Sequence, residues 1–197
     1  MFHHNPEKIN LFPIYSYKIK FGNIISEKDC YQFQKDYPKG EKVTNRGGWQ
    51  SVNNIHEYFT DFTKKLEHYM DKKFIPDGLE KGEEPPKHKV DHMWLNINKK
   101  NDYNIAHDHG LNFVSGVYWI KSPKTGRFFF ENPNLVQVIQ GRESNHFPDY
   151  SVTYVENKES HICLFPSWIR HGVEPNMTDE TRISISFNIN RNWDKNW

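Results

Sequence analysis

The chain has 197 residues, of which 36% are hydrophobic, 26% charged and 15% aromatic, enough for one sizeable core but hardly two. Twenty-six Lys and Arg against 25 Asp and Glu leave a net charge of +1, which argues against polyanion binding through bulk charge and leaves nucleic acid unsupported as a partner. No apolar run approaches the roughly 20 residues of a membrane span, and the first six residues lack a basic segment followed by an apolar one; a cytoplasmic protein with no membrane partner is expected.

From the N-terminus, Leu11 to Phe21 reads as a strand. Ser26 then stands as a helix N-cap before Glu27 to Tyr37, with Cys30, Phe33 and Tyr37 at helical spacing and Gly40 close behind as a stop. A second helix is expected over Asn53 to Lys72, because Ile55, Phe59, Phe62, Leu66 and Tyr69 step by four, three, four and three and paint one apolar stripe. Ile75 to His88 gathers prolines, glycines and charges and reads as a loop joining two unlike halves. Beyond it, short β-branched and aromatic runs predict strands at about 90–99, 103–109, 113–121, 127–131, 151–156, 161–166 and 182–190. Residues 132–150 form the least regular stretch of this half, of a length suited to a binding lid and equally to a disordered insertion.

The inventory suits a mainly β fold with flanking α-helices, a double-sheet jelly roll. It is expected as a single domain over 1–197, in which residues 1–88 (strand, helices and loop) pack on a β core at 89–197 that carries the chemistry. The predicted edge strands leave room for a homodimer.

Cys30 and Cys163 match neither a disulfide framework nor a thiolate zinc pattern, so a metal must be held by His and carboxylates. His107-Asp108-His109 closes a predicted strand just before Gly110. Side chains on a strand alternate, so His107 and His109 share a face and are aimed at one point, while Asp108 looks away. A register shift of one residue would reverse this and turn Asp108 inward. Such a pair alone is more often structural, and it needs a third ligand. His171 follows the apolar run that stops at Pro166 and is the candidate. Eleven residues on, Arg182-Ile183-Ser184 opens the last strand with Arg182 and Ser184 on one side, a guanidinium fork and a hydroxyl able to grip one carboxylate.

These residues resemble the 2-oxoglutarate and Fe(II)-dependent oxygenases, in particular a branch common in phage and marine bacterial genomes. The resemblance rests on Arg46-Gly47-Gly48-Trp49-Gln50-Ser51, Trp94-Leu95-Asn96-Ile97-Asn98, Tyr103-Asn104-Ile105-Ala106-His107-Asp108-His109, Ser115-Gly116-Val117-Tyr118-Trp119, Leu164-Phe165-Pro166-Ser167-Trp168 with His171, and Arg182 to Asn188, in that order. It implies a cupin-like double-stranded β-helix with His107, His109 and His171 as iron ligands and catalytic centre. Arg182 and Ser184 would bind the distal carboxylate of the cosubstrate 2-oxoglutarate. The departure is at position 109, where the wider superfamily carries a carboxylate; three neutral imidazoles leave the metal at +2 and also suit Zn or Cu.

Asn96 and Asn98 share a face with Trp94, and Asn96 is a candidate to bind the cosubstrate, although a backbone partner suits it better. Tyr118, on the strand after the His pair, is a further cosubstrate-binding candidate by the same resemblance, and a core position suits it equally. Trp49, Gln50 and His146 lie in loops that could line a substrate mouth. The implied activity is an O2-dependent hydroxylation of a small molecule or a peptide side chain, with release of succinate and CO2. The competing readings are a non-catalytic jelly-roll binding or phage structural module, and a three-His cupin enzyme that does not use 2-oxoglutarate.

Overall fold

Alternating apolar and polar residues put most of the second half of the chain into strands, and their pairing brings the candidate site together. The computed structural model describes residues 16–73, 84–134, 136, 138, 139 and 151–192. Its elements are β1 Tyr17–Lys20, α1 Glu27–Asp36, β2 Asn45–Arg46, β3 Trp49–Gln50, α2 Thr60–Lys73, β4 Lys87–Asn98, β5 Tyr103–His107, β6 Val114–Lys121, β7 Phe128–Glu131, β8 Val152–Val155, β9 His161–Pro166, β10 His171–Val173 and β11 Arg182–Asn192. Two antiparallel sheets result. One has six strands in the order β1-β9-β6-β11-β4-β3, the other five in the order β2-β5-β10-β7-β8, and together they make a double-stranded β-helix.

α1 begins where Ser26 closes a capping box. Its hydroxyl accepts from Asp29 N at 3.2 Å, and the Asp29 carboxylate accepts from Ser26 N at 3.0 Å. The second expected helix is divided: Ile55–Glu57 form a 3-10 turn, and the α-helix starts only at Thr60. The Thr63 hydroxyl donates back to His56 O and Phe59 O, tying the turn to the helix. The apolar stripe still works as one surface, since Ile55, Phe62 and Leu66 are buried together with Met70. Truncating a side chain such as Leu66 to alanine would cost about 2–5 kcal/mol.

The six-stranded sheet has two faces of different character. Met93, Leu95 and Ile97 of β4 and Ile183, Ile185 and Phe187 of β11 pack under α2 in the larger hydrophobic cluster. The alternate residues Trp94, Asn96, Arg182, Ser184 and Ser186 look the other way, into a cavity between the sheets. A bulge at Asp91, where Asn188 pairs with His92 and Ile189 with Val90, lets Val90 rejoin the helix side. A second apolar cluster, with Trp119, Phe128, Phe130 and Phe165, closes the cavity from the interior.

Three strands from before residue 88 are members of these sheets: β1 on β9, β2 on β5 and β3 on β4. Arg46-Gly47-Gly48-Trp49-Gln50-Ser51 contains the turn between β2 and β3. Gly48 has φ +65°, and a Cβ there would lie 2.6 Å from Asn98 Nδ2, so only glycine lets this turn seat on β4. The N-terminal strand is shorter than expected, and residues 11–15 of that expectation, residues 75–83 of the expected loop, and most of the 132–150 stretch with His146 lie outside the described residues.

Candidate metal centre and cosubstrate pocket

β5 and β10 are neighbours, with His107 registered against His171, so two residues 64 positions apart in sequence face one another by strand pairing. His109 completes the group. Contrary to the strand expected over 103–109, β5 ends at His107, and His109 sits in the following turn. Its backbone N–H donates to Ser167 O at 2.9 Å and its carbonyl accepts from Asn112 Nδ2 at 2.8 Å, which ties this turn to the one leading into β10. Asp108 turns away from the ligand group, and its Oδ1 accepts from Gly110 N at 3.1 Å.

The three imidazoles present one ligand atom each, all within 4.8 Å of one another. Their ring centroids lie 4.5 Å apart for His107–His171, 4.9 Å for His107–His109 and 5.0 Å for His109–His171. In His107 and His171 the Nδ1 lies 2.8 and 2.9 Å from the carbonyl oxygen two residues upstream, Ile105 O and Ile169 O. A carbonyl only accepts, so Nδ1 carries the proton and Nε2 keeps its lone pair for a metal. Burial pushes all three below the ordinary imidazole range: His107 downwards, His109 to about 4 with help from the neighbouring His107, and His171 well below. The cluster is therefore neutral at pH 7 and ready to coordinate. Three neutral nitrogens on one side of a point suit Fe(II), with the opposite positions open.

At the other end of the cavity Arg182 is 2% exposed. Burial lowers its pKa to about 10, still charged at pH 7, with Asp102 acting in the opposite direction. Its partners are backbone carbonyls at long range: Glu174 O at 3.2 Å and Gly126 O and Asp102 O at 3.4 Å. Among the described residues no carboxylate forms an ion pair with it, and a buried guanidinium so placed is matched to an anion. Gly126 makes its cradle. With φ +69°, a Cβ there would stand 2.0 Å from Arg182 Nη1. Ser184 lines the same wall, as does Asn96, whose Nδ2 donates to Ser186 Oγ at 3.3 Å while its buried Oδ1 has no donor. A dianionic keto acid would match in charge both a divalent metal at the histidine cluster and this guanidinium, which line one cavity.

Residues 92–188, which hold both the histidine cluster and Arg182, match the family described as "Putative 2OG-Fe(II) oxygenase". This half of the chain is similar to the 2OG-Fe(II) oxygenases. Solved structures share the architecture at low identity. They include a viral collagen prolyl hydroxylase from Paramecium bursaria Chlorella virus-1 in complex with 2OG (15% identity, TM-score 0.54, 91% of this chain and 97% of that one). A 2OG-Fe(II) oxygenase family oxidoreductase from Burkholderia pseudomallei aligns at 9% identity and TM-score 0.61, over 90% of this chain and 86% of its own. HygX from Streptomyces hygroscopicus, with nickel and 2-oxoglutarate bound, aligns at 11% and 0.55, over 93% and 85%. Comparison with curated proteins gives no match. Fe(II), 2-oxoglutarate and O2 are the cofactor and cosubstrates of this oxygenase family.

Tyr118 is a correction to the sequence-based expectation. It is registered beside Ile185 and so shares that residue's helix-facing side. Its hydroxyl donates to Gly22 O at 2.7 Å and its ring packs 4.9 Å from Phe62, on the far side of the sheet from the histidine cluster. Val117 and Trp119 take the cavity side instead. Asn98 is buried against the Gly48 turn. Sequence reasoning missed Gly126, for which a lone glycine carries no signal, and Thr44 and Ser186 in the cavity wall. No helix among the described residues is long and apolar enough to cross a membrane.

Proposed function

We propose that this chain is a hydroxylase, acting on a small molecule or a peptide side chain, with His107, His109 and His171 holding Fe(II) and with Arg182, Ser184 and Asn96 holding 2-oxoglutarate. When bound, the metal and cosubstrate supply the oxidising chemistry, coupled to release of succinate and CO2. The residues of the chain do the rest. The two Nδ1-to-carbonyl hydrogen bonds fix the rings of His107 and His171 so that their Nε2 atoms need no reorientation to bind metal. Arg182 receives the distal carboxylate as a charge-assisted hydrogen-bond donor, which Ser184 supplements. Trp119, Phe128 and Phe165 keep bulk water from the interior side.

One juxtaposition supports this reading over a metal site without a cosubstrate: a buried guanidinium with no ion-paired carboxylate among the described residues lines the same cavity as three neutral imidazoles. A cavity serving a metal alone has no use for it. The test is an anaerobic titration of metal-free protein with Fe(II) and then 2-oxoglutarate, following the visible absorption of the chelated Fe(II)–keto acid complex. Wild type develops the band, and Arg182→Ala needs about 10- to 150-fold more 2-oxoglutarate, the equivalent of one charged hydrogen bond of about 1.5–3 kcal/mol. Equal affinity in the two proteins would remove Arg182 from the site. His171→Ala is expected to lose stoichiometric iron, and full iron content by elemental analysis would remove it from the triad.

A further inference from the structure

A vestibule opens on the outer side of the histidine cluster and shares His107 and His109 with the inner cavity. Its walls are dominated by neutral amides, Gln50, Asn53, Asn112 and Asn188, with His92 and the ring of Trp94, which also reaches the inner cavity. Asp108 is the one carboxylate among the described lining residues, and no Lys or Arg lines it. Gln50 is 6% exposed, and its Oε1 is buried without a hydrogen-bond donor. Gln50 is registered across β3 and β4 against Asn96, whose Oδ1 is the other donorless amide oxygen of this region.

Two donorless acceptors on register-paired residues, Asn96 in the wall of the inner cavity and Gln50 in that of the vestibule, each call for a donor. Ionised 2-oxoglutarate carries carboxylate and keto oxygens only, so it cannot satisfy either of them. Gln50 lines the vestibule and not the inner cavity, so its missing donor arrives from the vestibule side. The oxygens of Asn112 and Asn188 already accept from Asn190 Nδ2 and Ser115 Oγ, so the acceptor this wall leaves open is Gln50 Oε1, beside the Asp108 carboxylate and with no cation among the described lining residues to pair with a phosphate or carboxylate.

Resting on the metal and cosubstrate assignment above, we propose that this vestibule is the primary-substrate site. It takes a planar N–H-bearing group, a neutral amide or a cationic amidine or guanidine, which lies against Trp94 and donates to the Gln50 side-chain amide. Gln50 is thereby a specificity-determining residue. The reacting carbon of the substrate would be held at the end of the vestibule that His107 and His109 line.

Three probes of one shape separate the headgroup chemistry: benzamide, benzamidine and benzoate. Each is titrated into the full-length 15N-labelled protein, loaded with Zn(II) as a diamagnetic metal and saturated with 2-oxoglutarate, while the indole N–H signal of Trp94 is followed by NMR. Benzamide and benzamidine are expected to shift this signal saturably, and benzoate to leave it in place. Gln50→Met should weaken both binders about fivefold, the loss of one hydrogen bond of about 1 kcal/mol. Gln50→Glu, which retains an oxygen acceptor, should restore benzamidine. Benzoate binding as tightly as benzamide, or unchanged binding by Gln50→Met, overturns the proposal. Calorimetric binding of 2-oxoglutarate to the same sample keeps the two questions apart: its absence overturns the cosubstrate assignment, whereas the headgroup ranking and the Gln50 variants decide the vestibule.

Discussion

Replacing Gly126 with alanine tests the cosubstrate pocket without replacing any residue that contacts the cosubstrate in the proposed site. The added Cβ would lie 2.0 Å from Arg182 Nη1 and 3.1 Å from Glu174 O, against an ordinary contact of 3.4–4 Å. The guanidinium therefore has to retreat by more than 1 Å, and a hydrogen bond of about 2.9 Å stretched by that much is lost. The charge stays in the cavity, so the loss falls at the lower end of the range for a charged hydrogen bond, about 1.5 kcal/mol or roughly tenfold in 2-oxoglutarate affinity. Backbone strain adds separately, because alanine at φ +69° costs about 1–2 kcal/mol of stability. Gly22→Ala is the control: φ there is +89°, and the nearest atom to the added Cβ is Lys65 Nζ at 3.9 Å, so it carries the strain without the clash. Both variants should melt several degrees lower, and only Gly126→Ala should lose affinity in the anaerobic titration. Wild-type affinity in Gly126→Ala, or an equal loss in both variants, would refute the assignment of Arg182.

Further outcomes follow from the same geometry. Tyr118→Phe removes the hydroxyl bonded to Gly22 O, and should cost about 1 kcal/mol in urea unfolding with 2-oxoglutarate affinity unchanged; a tenfold loss of affinity would return Tyr118 to the pocket. Ser26→Ala breaks the capping box of α1 and should cost about 0.5–2 kcal/mol in the same measurement, and no loss would mean that the cap is idle. The depressed histidine pKa values give two readouts. Three ordinary imidazoles of pKa about 6.5 would together release roughly 0.7 proton on binding metal at pH 7, whereas this cluster should release close to none, read by calorimetry in two buffers of different ionisation heat. In the metal-free protein the unfolded chain binds protons first as pH falls, so this contribution to stability is full above about pH 6.5 and is lost progressively towards about 4, where His109 titrates. A stability difference between wild type and His109→Gln that does not change between pH 7.5 and 5 would contradict it.

Much of the site was legible because its signals are local. His-x-His before a glycine, a histidine after an apolar strand and Arg-x-Ser opening the last strand are each short patterns whose side-chain directions follow from alternation. The β11 alternation held along the whole cavity wall, so Arg182 and Ser184 do share a side. His109 shows the limit: its direction is set not by the strand, which stops at His107, but by a hydrogen bond to Ser167 and another from Asn112, partners with no sequence signature. The helix divided at Thr60 fails in the same way, since a period of three and four residues is common to an α-helix and to a 3-10 turn followed by one.

By itself the sequence determined a mainly β fold with flanking helices, and pointed to imidazoles rather than thiolates as the candidate metal ligands, with an arginine further along the chain. Composition, period and spacing carry that information along the chain. Only the tertiary structure decided which of two faces each strand turns inward, because register is a property of pairs of strands. Tyr118 was placed beside Ile185 and so lost to the helix side, while Asn96 was kept in the cavity. It also decided that Gly126 yields its space to Arg182, and that Gln50 and Asn96 meet across β3 and β4 with oxygens that 2-oxoglutarate cannot satisfy. These are contacts between segments tens of residues apart, and their energies exist only once the sheets have closed.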